Sequence, residues 1–165
     1  MRTFFTLLIL FAAAISLQLS VISRIQLLSG NADLVFVILA AVSLQERARS
    51  MLWWSIGLGW LMGNISATPW YIFVGAYLLG TAIARLLARR VWQAPLLALL
   101  SVTLVGVFLL HGLTFVYRVL FETALSFTEV FSQVILPSLL LNLLIAIVLY
   151  PLLRDLIERL YPLEV

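Results

Sequence analysis

The charged residues of this chain stand in widely separated clusters, and the sequence between them is apolar. No Asp, Glu, Lys or Arg occurs between Arg2 and Arg24, Asp33 and Glu46, Arg49 and Arg85, Arg90 and Arg118, or Glu129 and Arg154. Over 165 residues, 64% are hydrophobic and 10% are charged, and the mean hydropathy is +1.18. A soluble domain carries about a quarter charged residues, and a chain this small has too little interior to hide so much apolar surface. Lipid is therefore the solvent for most of it. Disorder needs the opposite composition. Cysteine is absent, which excludes disulfides, thiolate metal sites and cysteine nucleophiles. Strand-type alternation is missing, so a transmembrane barrel is excluded as well. What is left is an all-α integral membrane protein.

A spanning helix needs about 20 mostly apolar residues. The pattern predicts a single transmembrane domain over 1–165 with spans at about 3–22, 30–45, 51–66, 69–87, 94–116 and 133–153. The second and third are short for a hydrocarbon layer about 30 Å thick. They read either as helices extended into the headgroups or as a partly re-entrant hairpin. Ala12-Ala13-Ala14 offers a signal-cleavage site, but the apolar run continues past it, so the first span is expected to stay. With six spans, Arg2, Arg47, Arg49, Arg85, Arg89, Arg90, Arg154 and Arg159 share one side, and Arg24 and Arg118 the other. Eight against two predicts that both termini are cytoplasmic. All ten basic residues are Arg, scattered at span ends, and the pI near 9.8 reports orientation rather than a nucleic-acid surface.

Chemistry-bearing residues are few. The span interiors hold no charged group of the kind that ion-coupled transporters place there. Asp33 lies where the second span starts, at an outer boundary that water can reach, and reads as a solvated helix cap, with a contact to a partner as the alternative. His111 is the only histidine. It lacks a second ligand for a metal and a carboxylate neighbour in sequence to orient it as a base, so it reads as a packing residue. No nucleophile elbow, phosphate-cradling loop or carboxylate pair is present, and no catalytic, cofactor-binding or metal-binding residue is assigned. Asn142 is the one amide near the middle of a span, and its side chain requires a partner on another helix.

Small residues recur every four positions in three spans: Ser55, Gly59, Gly63 and Ala67; Ala76, Gly80, Ala84 and Ala88; and Ala12, Ser16 and Ser20. Such faces let helix backbones approach closely where lipid gives no hydrophobic drive. Gly59, Gly63, Ala76, Gly80, Ala84, Pro137 and Asn142 are thus the candidates for helix packing or partner contact. Residues 117–131 place Leu120, Phe121, Ala124, Leu125, Phe127 and Phe131 on one side and Arg118, Glu122, Ser126 and Glu129 on the other. This predicts an amphipathic segment on the outer leaflet, with a lid or a partner-binding surface as the alternative. Arg154 with Glu158 is one of two i,i+4 pairs that extend the last helix into water.

The chain resembles the bacterial rod shape-determining protein MreD family. The likeness is carried by Asn31-Ala32-Asp33-Leu34, where the family tends to show Pro-Asp-Leu, and by Gly57, Gly59 and Gly63. Next come the Ser66…Pro69 turn and Gly75, Tyr77 and Gly80. The run from Leu136-Pro137 through Asn142 and Ala146 to Tyr150-Pro151 completes it. One departure is Gly63-Asn64, where the family often has an acidic residue, so no role of that carboxylate transfers. The resemblance implies a non-enzymatic inner-membrane component of the cell-elongation machinery that needs no cofactor. It would bind the single-span protein MreC and through it reach the MreB filament, RodA and a class B penicillin-binding protein. A second copy of the chain is a further admissible partner. The family also looks similar in fold to the substrate-binding components of energy-coupling-factor transporters, which implies fold and not transport.

Two functions follow. A scaffold would hold a partner's transmembrane helix between its own spans, and co-purification with MreC tests it. A solute-binding or transport subunit would need an outward pocket lined with polar groups. Asp33, His111 and Asn142 are too few and too separated in sequence to suggest one. An intramembrane enzyme would need paired catalytic groups within a span, and none is seen.

Overall fold

A computed structural model describes residues 2–45, 48, 50–66, 68–88, 94–121 and 126–160. Glu46, Arg47, Arg49, Ala67, Arg89, Arg90, Glu122, Ala124 and Leu125, used in the readings above, lie outside the described residues. The molecule is an all-α membrane bundle. Helix α1 (Arg2–Ser20) leads through a 3-10 turn at Ile22–Arg24 into a small antiparallel hairpin, β1 (Gln26–Leu27) and β2 (Gly30–Asn31). Then come α2 (Leu34–Ser43), α3 (Met51–Ile65), α4 (Trp70–Ala88) and α5 (Pro95–Phe121). The last rod is α6 (Phe127–Val130), a π-helical turn at Phe131–Ile135, and α7 (Leu136–Leu160).

Among the described residues four helices, α1, α4, α5 and the α6–α7 rod, are long and apolar enough to cross a membrane. Helix α2 is not, and its surroundings explain why. All ten of its residues are buried, so it meets protein rather than lipid and has no need to match the hydrocarbon thickness. Its ring Phe36 is wedged where α4 and α5 each present a glycine. A Cβ on Gly80 would lie 2.6 Å from the tip of that ring, and one on Gly106 would also collide with it. Tyr77 packs on the same ring at 5.4 Å between centroids.

The small-residue ladders divide into two kinds. Ser55, Gly59 and Gly63 are buried, and a Cβ on Gly59 would lie 2.8 Å from the Val74 backbone. Gly63 stands likewise against the Trp70 backbone. Ala76, Gly80, Ala84 and Ala88 are buried on α4. These faces close the α3–α4 hairpin and seat α2, so they are spent inside the bundle. By contrast, Ala12, Ser16 and Ser20 on α1 are exposed. The two serine hydroxyls donate to Ala12 O and Ser16 O at 2.9 and 2.7 Å, which makes that stripe compatible with lipid or with another helix.

The helices alternate in direction. The α1 start, the α2–α3 turn, the α4 end and the α7 end lie together, at the terminal end of the bundle. There the Arg85 guanidinium donates to Gln45 O and Ala48 O at 3.3 and 2.7 Å, pinning the α2–α3 turn. At the other, hairpin end, residues 117–121 continue α5, and Phe127 opens a separate helix. The amphipathic stretch foreseen over 117–131 is therefore divided between two rods. The physical reason is aromatic packing across them: Phe115 meets Phe127 at 5.5 Å and Phe108 meets Phe131 at 6.4 Å. Leu120 and Phe121 remain exposed.

Candidate functional site

A cluster of polar side chains from α1, α2, α4 and α7 (Gln18, Asp33, Tyr77, Ser138 and Asn142) gathers at the hairpin end, around the start of α2. Main-chain groups in hydrocarbon need partners inside the protein, and a hairpin followed by a helix start leaves several N–H and C=O groups open. Asp33 caps α2, its Oδ1 accepting from Phe36 N–H at 2.9 Å, and its Oδ2 accepts from the Tyr77 hydroxyl at 2.6 Å. From α1, Gln18 reaches across: its Nε2 donates to Ala32 O at 2.9 Å and its Oε1 accepts from Leu34 N–H at 2.8 Å. From α7, Asn142 Oδ1 accepts from Asp33 N–H at 2.8 Å. Its Nδ2 donates to Asn31 O at 3.2 Å and Ser138 O at 2.8 Å. Ser138 Oγ accepts from Asn31 N–H at 3.0 Å.

Pro137 contributes through what it lacks. In an α-helix residue 137 would donate to the carbonyl of residue 133, and proline has no N–H. The π-helical turn at Phe131–Ile135 ends just before it, and Gln133 O accepts from Ser29 N–H of the hairpin at 3.0 Å instead. Gly30 completes the fit: a Cβ there would lie 2.6 Å from Ser138 N and 2.7 Å from Pro137 Cβ. The hairpin thus lies directly on the start of α7. Leu28, in its turn, takes φ 55°, a left-handed conformation that a leucine adopts only at a cost.

Two cavities adjoin this cluster. The smaller, about 10 Å³, is lined by Asp33, Phe36, Tyr77, Gly106, Val107, Leu110, His111 and Asn142. The larger, about 670 Å³, shares Asp33, Leu110 and His111 with it and adds Gln18, Gln26, Thr114, Arg118 and others from α1, α3, α5 and the α6–α7 rod. The separation expected of Asp33, His111 and Asn142 is therefore overturned. Folding brings all three to one void, because α2, α5 and α7 meet at this end. That void has room for about one water, and of the three only Asp33 and His111 also line the larger, mainly apolar cavity. Of the candidate packing residues, Pro137 and Asn142 belong to this cluster. Gly59, Gly63, Ala76, Gly80 and Ala84 lie in the helix contacts described above.

Gln18, Ser138, Gly30, Phe36 and Gly106 were not singled out from the sequence. Gln18 carried one usable signal, as an amide in an otherwise charge-free run, and Ser138 another, as the residue after a proline that opens a helix.

A helical bundle in lipid, built round a fully buried short helix and a polar-clamped hairpin, defines an integral membrane protein whose polar groups are committed largely to its own architecture. The family model for rod shape-determining protein MreD matches residues 1–160, essentially the whole chain, and the chain belongs to that family. No curated protein and no solved structure gave a match. Membership associates the chain with the machinery that determines rod shape.

Proposed function

We propose that this protein is a non-enzymatic scaffold of the bacterial inner membrane, with both termini cytoplasmic, that binds MreC. Through MreC it connects to the MreB filament, RodA and a class B penicillin-binding protein, and so helps regulate peptidoglycan synthesis and cell shape. The observation that carries this reading is the family match over residues 1–160. The structure supports a location for the contact. The glycine-rich ladders of α3 and α4 are occupied within the bundle, whereas Ala12, Ser16 and Ser20 on α1 face outward. A single-span partner docks there, backbone against backbone, in place of lipid.

Co-purification from detergent tests it. MreC is retained by the unaltered chain and by a Val148→Trp control on the exposed face of α7. It is lost, about tenfold or more, from Ser16→Trp, whose bulk separates the two backbones. Failure of the unaltered chain to retain MreC overturns the scaffold; retention by Ser16→Trp moves the contact off α1. The larger cavity favours a second reading, a solute-binding or transport subunit, which tight binding of a vitamin by the isolated protein would support.

A further inference from the structure

At the terminal end of the bundle α1 and α3 touch, with Trp54 against Phe4 and Phe11 at 5.4 and 5.2 Å between ring centroids. Toward the hairpin end they meet across the larger cavity, about 670 Å³, which Gln18 and Leu19 line from α1 and Met62 and Ile65 from α3. Four of its lining residues are buried and form its floor. Ala32, Met62 and Phe73 are apolar, and the fourth, Gln18, has both ends of its amide bonded. The two charged lining residues are engaged as well: Asp33 accepts from Phe36 N–H and the Tyr77 hydroxyl, and Arg118 has a partner within the protein. Thr114 Oγ1 donates to Leu110 O at 2.8 Å, and His111 also lines the smaller void with Asp33. The floor thus suits hydrocarbon.

The mouth is different. Gln26, Ser29 and Asn31 of the hairpin line it and are exposed, and Ser66 and Thr68, half-buried, line it from the α3–α4 turn. Their side chains are neutral, and each of these amides and hydroxyls both donates and accepts. A lipid ester brings acceptors alone. The last turn of a helix, with the chain that follows it, leaves both N–H and C=O groups open. Apolar side chains below and open main chain above describe the end of a transmembrane helix. Such a helix has a path to the cavity. Leu19, 45% exposed, stands seven residues beyond Ala12, two turns along the same face of α1. A helix lying along the outward stripe of α1 therefore reaches the mouth with its hairpin-end turn. The volume is that of a small-molecule site, roughly 300–1,000 Å³, and admits neighbouring side chains at i and i+4 together.

We propose that this cavity anchors the single-span partner carried by α1. Large apolar side chains from the hairpin-end turn of that helix fill the floor, and its main chain meets the amides and hydroxyls of the mouth. The anchor rests on the scaffold reading above and adds walls to it from α3 and α5.

Because the chain has no cysteine, Thr114→Cys places a single thiol on the α5 wall of the cavity, away from the α1 stripe. A short photo-activated cross-linker is attached to it in membranes that hold this protein and MreC, and adducts are read by mass spectrometry. The expected adduct is a peptide from the hairpin-end part of the MreC span. Thr114→Trp fills the cavity from α5 and should lower co-purification of MreC at least about tenfold against Thr114→Ser. Thermal melting checks that both variants are folded; if Thr114→Trp is not, the cross-link decides alone. Adducts with lipid only, from a chain that still retains MreC, overturn the anchor and leave the scaffold standing. Equal retention of MreC by folded Thr114→Trp and by Thr114→Ser does the same. No retention of MreC by the unaltered chain overturns both.

Discussion

Asn142 shows at the scale of one residue how a polar side chain can hold a membrane fold together. It is 1% exposed, and both ends of its amide are used: one oxygen accepts from Asp33, and one nitrogen donates to Asn31 and Ser138. Leucine has similar bulk but no hydrogen-bonding group. Asn142→Leu leaves Asp33 N–H and Asn31 C=O without partners, at about 1–3 kcal/mol for each orphaned group. The expected loss is about 2–5 kcal/mol, read as a lower midpoint of unfolding in detergent against the unaltered chain. A loss below about 1 kcal/mol would mean that these groups find other partners. The need for such a residue was legible in the sequence, since an amide in mid-span requires a bond. Gln18 gave a weaker signal, since it stands near the end of its apolar run, where water can also serve an amide. Its partners are main-chain atoms 14 and 16 residues further on.

Among the elements, the hairpin and the start of α7 form one device. Their union depends on a carbonyl that Pro137 sets free, since Gln133 O is bonded by Ser29 N–H. Pro137→Ala restores an N–H that competes for the same oxygen and lets the π-helical turn relax to α-helix. The helix itself should gain stability while the hairpin loosens. Amide hydrogen exchange separates the two effects: Ser29 should exchange about tenfold faster, the equivalent of one hydrogen bond of about 1.4 kcal/mol. Unchanged exchange at Ser29 would show that another contact holds the hairpin. The proline was visible in the sequence, but the π-helical turn before it was not, because widening a helix by one residue needs only a missing donor and a nearby taker. The brevity of the second and third apolar stretches was visible too. What resolved the second was its burial on every side, a property of the neighbours rather than of its own residues.

For the whole molecule, periodic hydrophobicity and charge placement were enough to give an all-α membrane bundle, because a long charge-free run admits no other fold in lipid. Sidedness is a separate matter, set by where the arginines fall. Arg85 lies at the terminal end, and Arg24 and Arg118 lie at the hairpin end. Exposed Trp53 at the start of α3 and exposed Trp70 and Tyr71 at the start of α4 mark the two levels where aromatic side chains favour the membrane–water boundary. The absence of cysteine makes the orientation directly measurable, since any introduced thiol is the only one present. Ser29→Cys and Thr68→Cys sit at the hairpin end, and Gln45→Cys sits in the turn that Arg85 pins. With both termini cytoplasmic, an impermeant maleimide applied to spheroplasts should label the first two and reach the third only after permeabilisation. The inverse pattern would reverse the protein in the membrane while leaving the bundle intact. Labelling of Ser29→Cys and Thr68→Cys from opposite sides would break the bundle itself, because Ser29 and Thr68 line the same cavity and cannot do so across a bilayer.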